Sequence, residues 1–210
     1  MFTGLVREIG TVEEIGSRSG VTALGISAPR TADQLAIGSS LAVNGICLTV
    51  TSLTGARVSV DASVETRRVT TLCRWRVGDR VHLEPSLRIG DEVGGHFVLG
   101  HVDGTGRVVR LERSHGVVRM TVRVPARLTT QLLPKGSIAV DGVSLTLDAG
   151  PFRGQFTVTL VPHTLRATRF DELRVADEVN IEVDVLAKAA SQPQLAQLTM
   201  RSILDKGWQW

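Results

Sequence analysis

Asn44-Gly45-Ile46-Cys47-Leu48-Thr49-Val50 returns, 97 positions later, as Asp141-Gly142-Val143-Ser144-Leu145-Thr146-Leu147. Each copy reads as a tight turn that opens a strand, since glycine supplies positive φ and Asn or Asp tolerates it. Beyond the turn the pattern alternates, so Ile46, Leu48 and Val50 share one face while Cys47 and Thr49 share the other. In the second copy Val143, Leu145 and Leu147 lie on one face, with Ser144 and Thr146 opposite. A small thiol or hydroxyl beside a threonine, kept twice on one face, points to two related pockets.

The repeat extends well past the turn. Val58 to Leu72 lies over Phe156 to Phe170 at an offset of 98 without a gap, with Val60/Val158, Thr66/Thr164, Arg68/Arg166 and Thr70/Thr168 identical. Val77-Gly78-Asp79-Arg80-Val81 lies over Val175-Ala176-Asp177-Glu178-Val179 at the same offset. Gly4 and Val6 lie over Gly100 and Val102 at an offset of 96, and Ser40 over Ser137 at 97. The small drift in offset fits insertions in loops, which tolerate them. We therefore expect two homologous domains, residues 1–95 and 96–187, followed by a tail from Lys188 to Trp210.

Each copy gives the same order of elements. Strands are expected at Gly4 to Ile15, Val21 to Ala28, Ser40 to Val43, Ile46 to Leu53, Arg57 to Asp61 and Arg80 to Glu84. The Asn-Gly pair is the strongest short-range hairpin signal. Thr31 to Ala36 makes at most a short helix and Glu65 to Leu72 another. Pro85 to Gly95 links the halves. The second set of strands runs Phe97 to Leu111, Val117 to Val124, Ser137 to Leu147 as a hairpin, Gln155 to Leu160 and Glu178 to Asp184. Its helices fall at Ala126 to Leu133 and Thr164 to Phe170. Short helices and regularly spaced strands indicate an all-β chain of two small six-stranded barrels, whose closure hides strand edges. The one long helical pattern is the tail from Val185 to Lys206: Ser191 caps a restart with Pro193 in its first turn, Gly207 ends it, and Ala196, Met200, Ile203 and Leu204 fall at helical spacing.

The 210 residues suffice for two modest cores, and 42% hydrophobic with 21% charged is ordinary globular composition. A net charge of +3 is dispersed, and Arg67-Arg68 and Arg74/Arg76 lack the interleaved aromatics of a nucleic-acid surface. No apolar run approaches a membrane span. Met1-Phe2-Thr3-Gly4 runs directly into a strand pattern, so no leader is expected. Two distant cysteines suit a reducing cytoplasm better than a disulfide scaffold.

Met1-Phe2-Thr3-Gly4, Asn44-Gly45-x-Cys47-Leu48-Thr49-Val50, Gly94-Gly95-His96-x-x-x-Gly100-His101-Val102 and Asp141-Gly142-x-Ser144-Leu145-Thr146, in that order on a duplicated chain, resemble the riboflavin synthase family. The resemblance covers residues 1 to 187. It implies two six-stranded Greek-key barrels, a C-terminal helix that gathers a homotrimer, and sites between subunits. It also implies a transferase that needs no cofactor and no metal: two molecules of 6,7-dimethyl-8-ribityllumazine dismutate, one giving four carbons to the other. The products are riboflavin and 5-amino-6-(D-ribitylamino)uracil. Association with lumazine synthase is a further implied partner. Two homologous pockets suit such a reaction, because orienting two reactants contributes on the order of 7–11 kcal/mol. The methyl proton to be removed is already acidic, so the protein has mainly to orient, polarise and exclude water.

Carried over by matching motif, a first pocket takes Gly4, Leu5 and Val6, Cys47, Leu48 and Thr49, and Asp61, Ala62, Ser63, Val64, Glu65 and Thr66. A second takes Gly100, His101 and Val102, Lys135, Ser144, Leu145 and Thr146, and Thr159, Leu160, Val161, Pro162, His163 and Thr164. Catalytic roles are expected for Cys47, His101, Ser40 and Phe2. Cys47 matches Ser144 and reads either as a buried small hydrophobe or as a polarising or nucleophile-holding group. His101 stands where the first copy has Leu5, an asymmetry suited to an acid or base near neutral pH; the competing reading is an interior, hydrogen-bonded histidine. Ser40 opens a strand and is expected to activate the attacking water or hydroxide. Phe2, at the extreme terminus, is expected to cap a neighbour's pocket. His96 reads as closing its turn, Asp141 as serving its own, and Asp184 as structural or interfacial. The chain departs from the family at His82, where Asn is usual, at His163, which precedes Thr164 where Glu65 precedes Thr66, and in its longer tail with Pro193. The rival reading is a carrier of the same fold that holds a lumazine or flavin and catalyses nothing. A flavin-reductase-like barrel, with its Arg-x-Tyr-Ser/Thr motif, is set aside because the chain has no tyrosine.

Overall fold

A computed structural model describes residues 1–18, 20–148, 150 and 152–191. The first half contains β1 (Glu8–Arg18), β2 (Val21–Ser27), β3 (Ser40–Val43), β4 (Ile46–Thr54), β5 (Arg57–Ala62), helix α1 (Val64–Val69) and β6 (Arg80–Pro85). Its strands close into an antiparallel barrel in the order β1-β2-β5-β4-β3-β6. The second half repeats the plan with β7 (Gly104–Ser114), β8 (Val117–Arg123), α2 (Ala126–Thr129), β9 (Ser137–Val140), β10 (Val143–Thr146), β11 (Gln155–Leu160), α3 (Pro162–Ala167) and β12 (Glu178–Val183). Its order, β10-β9-β12-β7-β8-β11, is the same Greek key. The seam differs. Where β4 and β5 share a ladder along most of their length, β10 and β11 are joined, in backbone pairing among the described residues, by the Leu147–Val158 bridge and the Asp148 N–H to Thr157 carbonyl bond. The intervening sequence here, Asp148-Ala-Gly-Pro-Phe-Arg-Gly154, contains a proline that has no N–H to give.

Alternation builds each core. Leu48, Val50, Val58, Val60 and Leu83 point inward in the first half, and Met120, Leu145, Phe156, Val158 and Ile181 in the second. Each side chain withdrawn from water in this way contributes about 1.5–3 kcal/mol before conformational entropy is set against it. A third, smaller cluster of Phe2, Ala42, Val98 and Ala139 joins the halves.

Several expected strand and helix limits move, and the helix expected over Glu65 to Leu72 divides into α1 and a 3-10 turn at Thr71–Arg74. The first strand begins at Glu8 rather than Gly4, and its copy at Gly104 rather than Phe97, because the residues before them spend their hydrogen bonds elsewhere. Helix α2 stops at Thr129 instead of Leu133. The tail begins as α4 (Val185–Ala190), N-capped by Asp184, whose carboxylate accepts from the Leu186 N–H. The expected continuation through Pro193, Ala196, Met200, Ile203 and Leu204 to Gly207 lies outside the described residues. Among the described residues no helix is long and apolar enough to cross a membrane.

Candidate functional site

The two Asx-Gly turns meet. Asn44 and Gly45 both have positive φ (45° and 76°), as do Asp141 and Gly142 (42° and 78°), the geometry of a two-residue hairpin turn twisted like its strands. A Cβ on Gly45 would lie 2.6 Å from the Gly142 nitrogen, and one on Gly142 2.6 Å from the Gly45 nitrogen. These self-equivalent positions mark an approximate twofold axis between the halves. A second mark is the bridge between Phe2 and Val98, closed by N–H to carbonyl bonds of 2.7 and 3.1 Å.

From that bridge two straps diverge, each leading to the opposite barrel. The Gly4 carbonyl accepts from the Ser144 N–H at 2.8 Å, and the Gly100 carbonyl from the Cys47 N–H at 3.0 Å. A Cβ on Gly4 would come within 2.6 Å of the Ser144 Cβ, and one on Gly100 within 2.5 Å of the Cys47 Cβ. Beyond these contacts Val6 packs on the second core and Val102 on the first. A buried carboxylate fixes each strap. Glu84 accepts from the Thr3 N–H (2.7 Å), the Thr3 hydroxyl (2.8 Å) and the Gly4 N–H (3.0 Å). Glu182 accepts from the Leu99 N–H (2.7 Å) and the Gly100 N–H (3.0 Å). Burial pushes both carboxyls above their ordinary value, against the pull of the donors.

The expected pockets are therefore regrouped. Gly4, Leu5 and Val6 belong with Ser144, and Gly100, His101 and Val102 with Cys47. Around Cys47, the facing residues Ser40, Thr49 and Asp61 form one cross-strand row on the outer side of β3, β4 and β5. Asp61 leads to Ser63, whose hydroxyl caps α1 by accepting from the Thr66 N–H at 3.0 Å. Leu48 and Ala62 point into the core, so they offer only backbone groups. Val64 and Glu65 are exposed on α1, and Glu65 pairs with Arg68, which holds its carboxyl below the usual value. His101, which follows Gly100 on this strap, is exposed, not interior.

Around Ser144, the partner of Thr146 across the hairpin is Ser137, the counterpart of Ser40. Thr159 runs along β11 to α3, where Val161 and Pro162 replace the Ser63 cap and Thr164 takes the place of Thr66. Leu145 and Leu160 are core residues. His163 is exposed on α3. Lys135 is also exposed; its φ of 63° matches Gly38 in the first half, and the next residue, Gly136, accepts from the Leu147 N–H.

Two expectations change in kind. Phe2 does not reach toward a neighbour: it is fully buried in its own chain, packed with Ala42, Val98 and Ala139 and against Cys47. His96 does more than close a turn. Its Nδ1 lies 2.7 Å from the Ser144 hydroxyl, and its Nε2 is buried without a partner among the described residues. Burial lowers its pKa, and the Asp184 carboxylate opposes that shift. The internal repeat gives no sign of this bond, because an offset of 96 places the counterpart of His96 before residue 1.

Fold and site define a duplicated lumazine-binding protein: the family described as lumazine binding domain matches residues 3–86 and again 99–184. The chain is 41% identical to riboflavin synthase of Bacillus subtilis over 188 residues, which are 90% of this chain and 87% of that one. It is 39% identical to riboflavin synthase of Brucella abortus over 197 residues, 91% of this chain and 97% of the other. The fold is shared with LumP, solved in complex with riboflavin, at a TM-score of 0.80 and 23% identity over 87% of this chain and 99% of that one. The chain belongs to the riboflavin synthase family.

Proposed function

We propose that this protein is the enzyme its curated relatives are named for: a transferase that dismutates two 6,7-dimethyl-8-ribityllumazine molecules into riboflavin and 5-amino-6-(D-ribitylamino)uracil. The observation that carries this reading is the approximate twofold, which gives one chain two strap-on-strand sites of matching geometry, Gly100 on Cys47 and Gly4 on Ser144. Two sites of one kind suit two molecules of one substrate, and alignment of the pair supplies most of the acceleration.

The sites are alike in frame and unlike in chemistry, as a donor and an acceptor require. The strap on Cys47 continues from Gly100 into an exposed imidazole, His101, while Ser144 is bonded to a buried one, His96. On this reading the Cys47 site polarises one ring, with Ser40 positioned for the attacking water or hydroxide and His101 for a methyl proton. Backbone groups of residues 47–49, 61–66, 144–146 and 159–164 hold the ring edges, with Thr66 and Thr164 near the ribityl chains. Phe2 acts from beneath by fixing Cys47.

The reaction needs a first-barrel site to face a second-barrel site, and we assign that meeting to adjacent subunits of a homotrimer. Leu5, Val64, Phe97 and Val161 stand exposed around the two sites, an apolar surface that a second copy would cover. In this organisation residues 1–95 and 96–187 are the two functional units, and the tail from residue 188 is the trimer contact. A cytoplasmic setting and association with lumazine synthase complete the proposal.

Incubation with the lumazine alone tests it. Free riboflavin and the uracil in equal amounts are expected. Stoichiometric bound fluorescence with no riboflavin released would assign a carrier instead.

A further inference from the structure

The two halves also meet across a groove lined by Trp75, Asp79, Leu173 and Asp177 and spanned by two ion pairs. Arg74 Nη2 lies 2.8 Å from Glu178 Oε1, and Arg80 pairs with Glu172. These four residues occupy only two positions of the repeat: 74 and 172 are equivalent at an offset of 98, and so are 80 and 178. The two bridges are therefore images of one another under the twofold, with every charge reversed between halves. The first half contributes both cations and the second both anions.

The centre of this interface is otherwise permissive. His82 Nδ1 bonds the Asp141 carbonyl at 2.9 Å while its Nε2 accepts from the Arg169 N–H at 2.9 Å. Its equivalent, Asn180, donates to the Asn44 carbonyl at 2.9 Å while accepting from the Thr71 N–H at 2.8 Å. A first barrel meeting another first barrel would still offer a carbonyl and an N–H to His82, and two second barrels would offer the same to Asn180. The hydrogen bonds do not distinguish these pairings. The charges do, because two first barrels would set Arg74 against Arg80 twice, and two second barrels would set Glu172 against Glu178 twice.

We infer that the division of Arg74 and Arg80 from Glu172 and Glu178 is a pairing code, which joins a first barrel to a second barrel and rejects like with like. Single exposed pairs contribute little, but four like charges around one groove repel at distances within a Debye length. The partner this face accepts is the complementary half of this chain or of another copy.

The test uses whole chains. Arg74→Glu/Arg80→Glu makes the four pairing positions all acidic, Glu172→Arg/Glu178→Arg makes them all basic, and the fourfold exchange restores opposite signs in reversed order. Each double variant should lose roughly 3–6 °C of thermal midpoint at low ionic strength, most of it recovered at about 0.5 M salt, while the fourfold variant stays near the parent. When the acidic and basic double variants are refolded together, the mixture should recover much of the parent's thermal midpoint at low ionic strength, which neither variant reaches when refolded alone, since each supplies the half the other needs. A fourfold variant as damaged as the doubles, losses insensitive to salt, or a mixture that melts no higher than its separately refolded components would each overturn the inference.

Discussion

His82 and Asn180 stand 98 residues apart and make equivalent bonds with different atoms, an imidazole serving where the other half uses a carboxamide. The substitution of histidine for asparagine is thus conservative in hydrogen bonding, but only while the ring is neutral, because Nε2 must accept. Burial, at 2% exposure, lowers the His82 pKa from 6.5 to about 3. Between those values the unfolded chain binds a proton that the folded chain does not, so stability falls as pH drops below 6.5. At about 1.4 kcal/mol per pH unit, the contribution lost by pH 5 is about 2 kcal/mol. We expect His82→Asn to abolish that loss: the difference in denaturation free energy between parent and variant should shift by about 2 kcal/mol between pH 7 and pH 5 in favour of the variant. A pH-independent difference would show that His82 does not titrate as its burial requires. The exposed His101 gives the opposite kind of prediction. His101→Ala should leave the thermal midpoint unchanged while lowering kcat by roughly 100-fold, the scale of a lost acid or base, and Cys47→Ala should lower it in the same direction. Parent-like turnover in both would remove these side chains from the chemistry. Cys47, Ser144 and His101 were all legible from the repeat and the motifs. His96 stands in the same motif, but its bond to Ser144 was not foreseen, since a residue with no counterpart gains nothing from an argument by equivalence.

At the scale of elements, the strands that the alternating pattern marks most clearly are found where expected, including the Ser40–Val43 and Ile46–Thr54 hairpin and its copy. The straps escaped because apolar residues at Leu5, Val6, Phe97 and Val98 resemble the start of a strand, whereas the N–H groups of their neighbours Thr3, Gly4, Leu99 and Gly100 go to single carboxylates rather than to a ladder. That difference lies in Glu84 and Glu182, far along the sequence. It yields a prediction for each. Glu84→Gln replaces one acceptor oxygen by a donor that faces the Thr3 and Gly4 N–H groups, leaving buried donors unmet at a cost of about 1–3 kcal/mol. The released strap is the one that rests on Ser144, so lumazine affinity should fall at the second-barrel site and hold at the first. Glu182→Gln should do the reverse, loosening Gly100 from Cys47. Calorimetric titration resolves the two sites, and an equal loss at both in either variant would mean that the straps are not held independently.

For the whole molecule, the sequence announces two barrels because a gapless repeat with strand-length spacing admits few other arrangements. It is silent on which barrel each strap joins. Gly4 aligns with Gly100 whether the straps stay at home or cross over, since the repeat is unchanged when both are exchanged, and only the Gly4–Ser144 and Gly100–Cys47 contacts break the tie. Crossing has a consequence that mixed assemblies can read. If catalysis joins a first-barrel site of one subunit to a second-barrel site of the next, chains carrying Cys47→Ala and chains carrying Ser144→Ala, each inactive alone, should regain activity when unfolded and refolded together. With random assortment about a quarter of the junctions would combine two intact sites. The informative mixture is Cys47→Ala with His101→Ala. These residues come from opposite halves of the sequence, so uncrossed straps would place them in different sites and allow rescue. With the straps exchanged they share the first-barrel site, every junction contains a damaged copy of it, and the mixture should stay as inactive as its components. Recovery in that mixture to the level of the Cys47→Ala and Ser144→Ala pair would return His101 to the second-barrel site and refute the exchange.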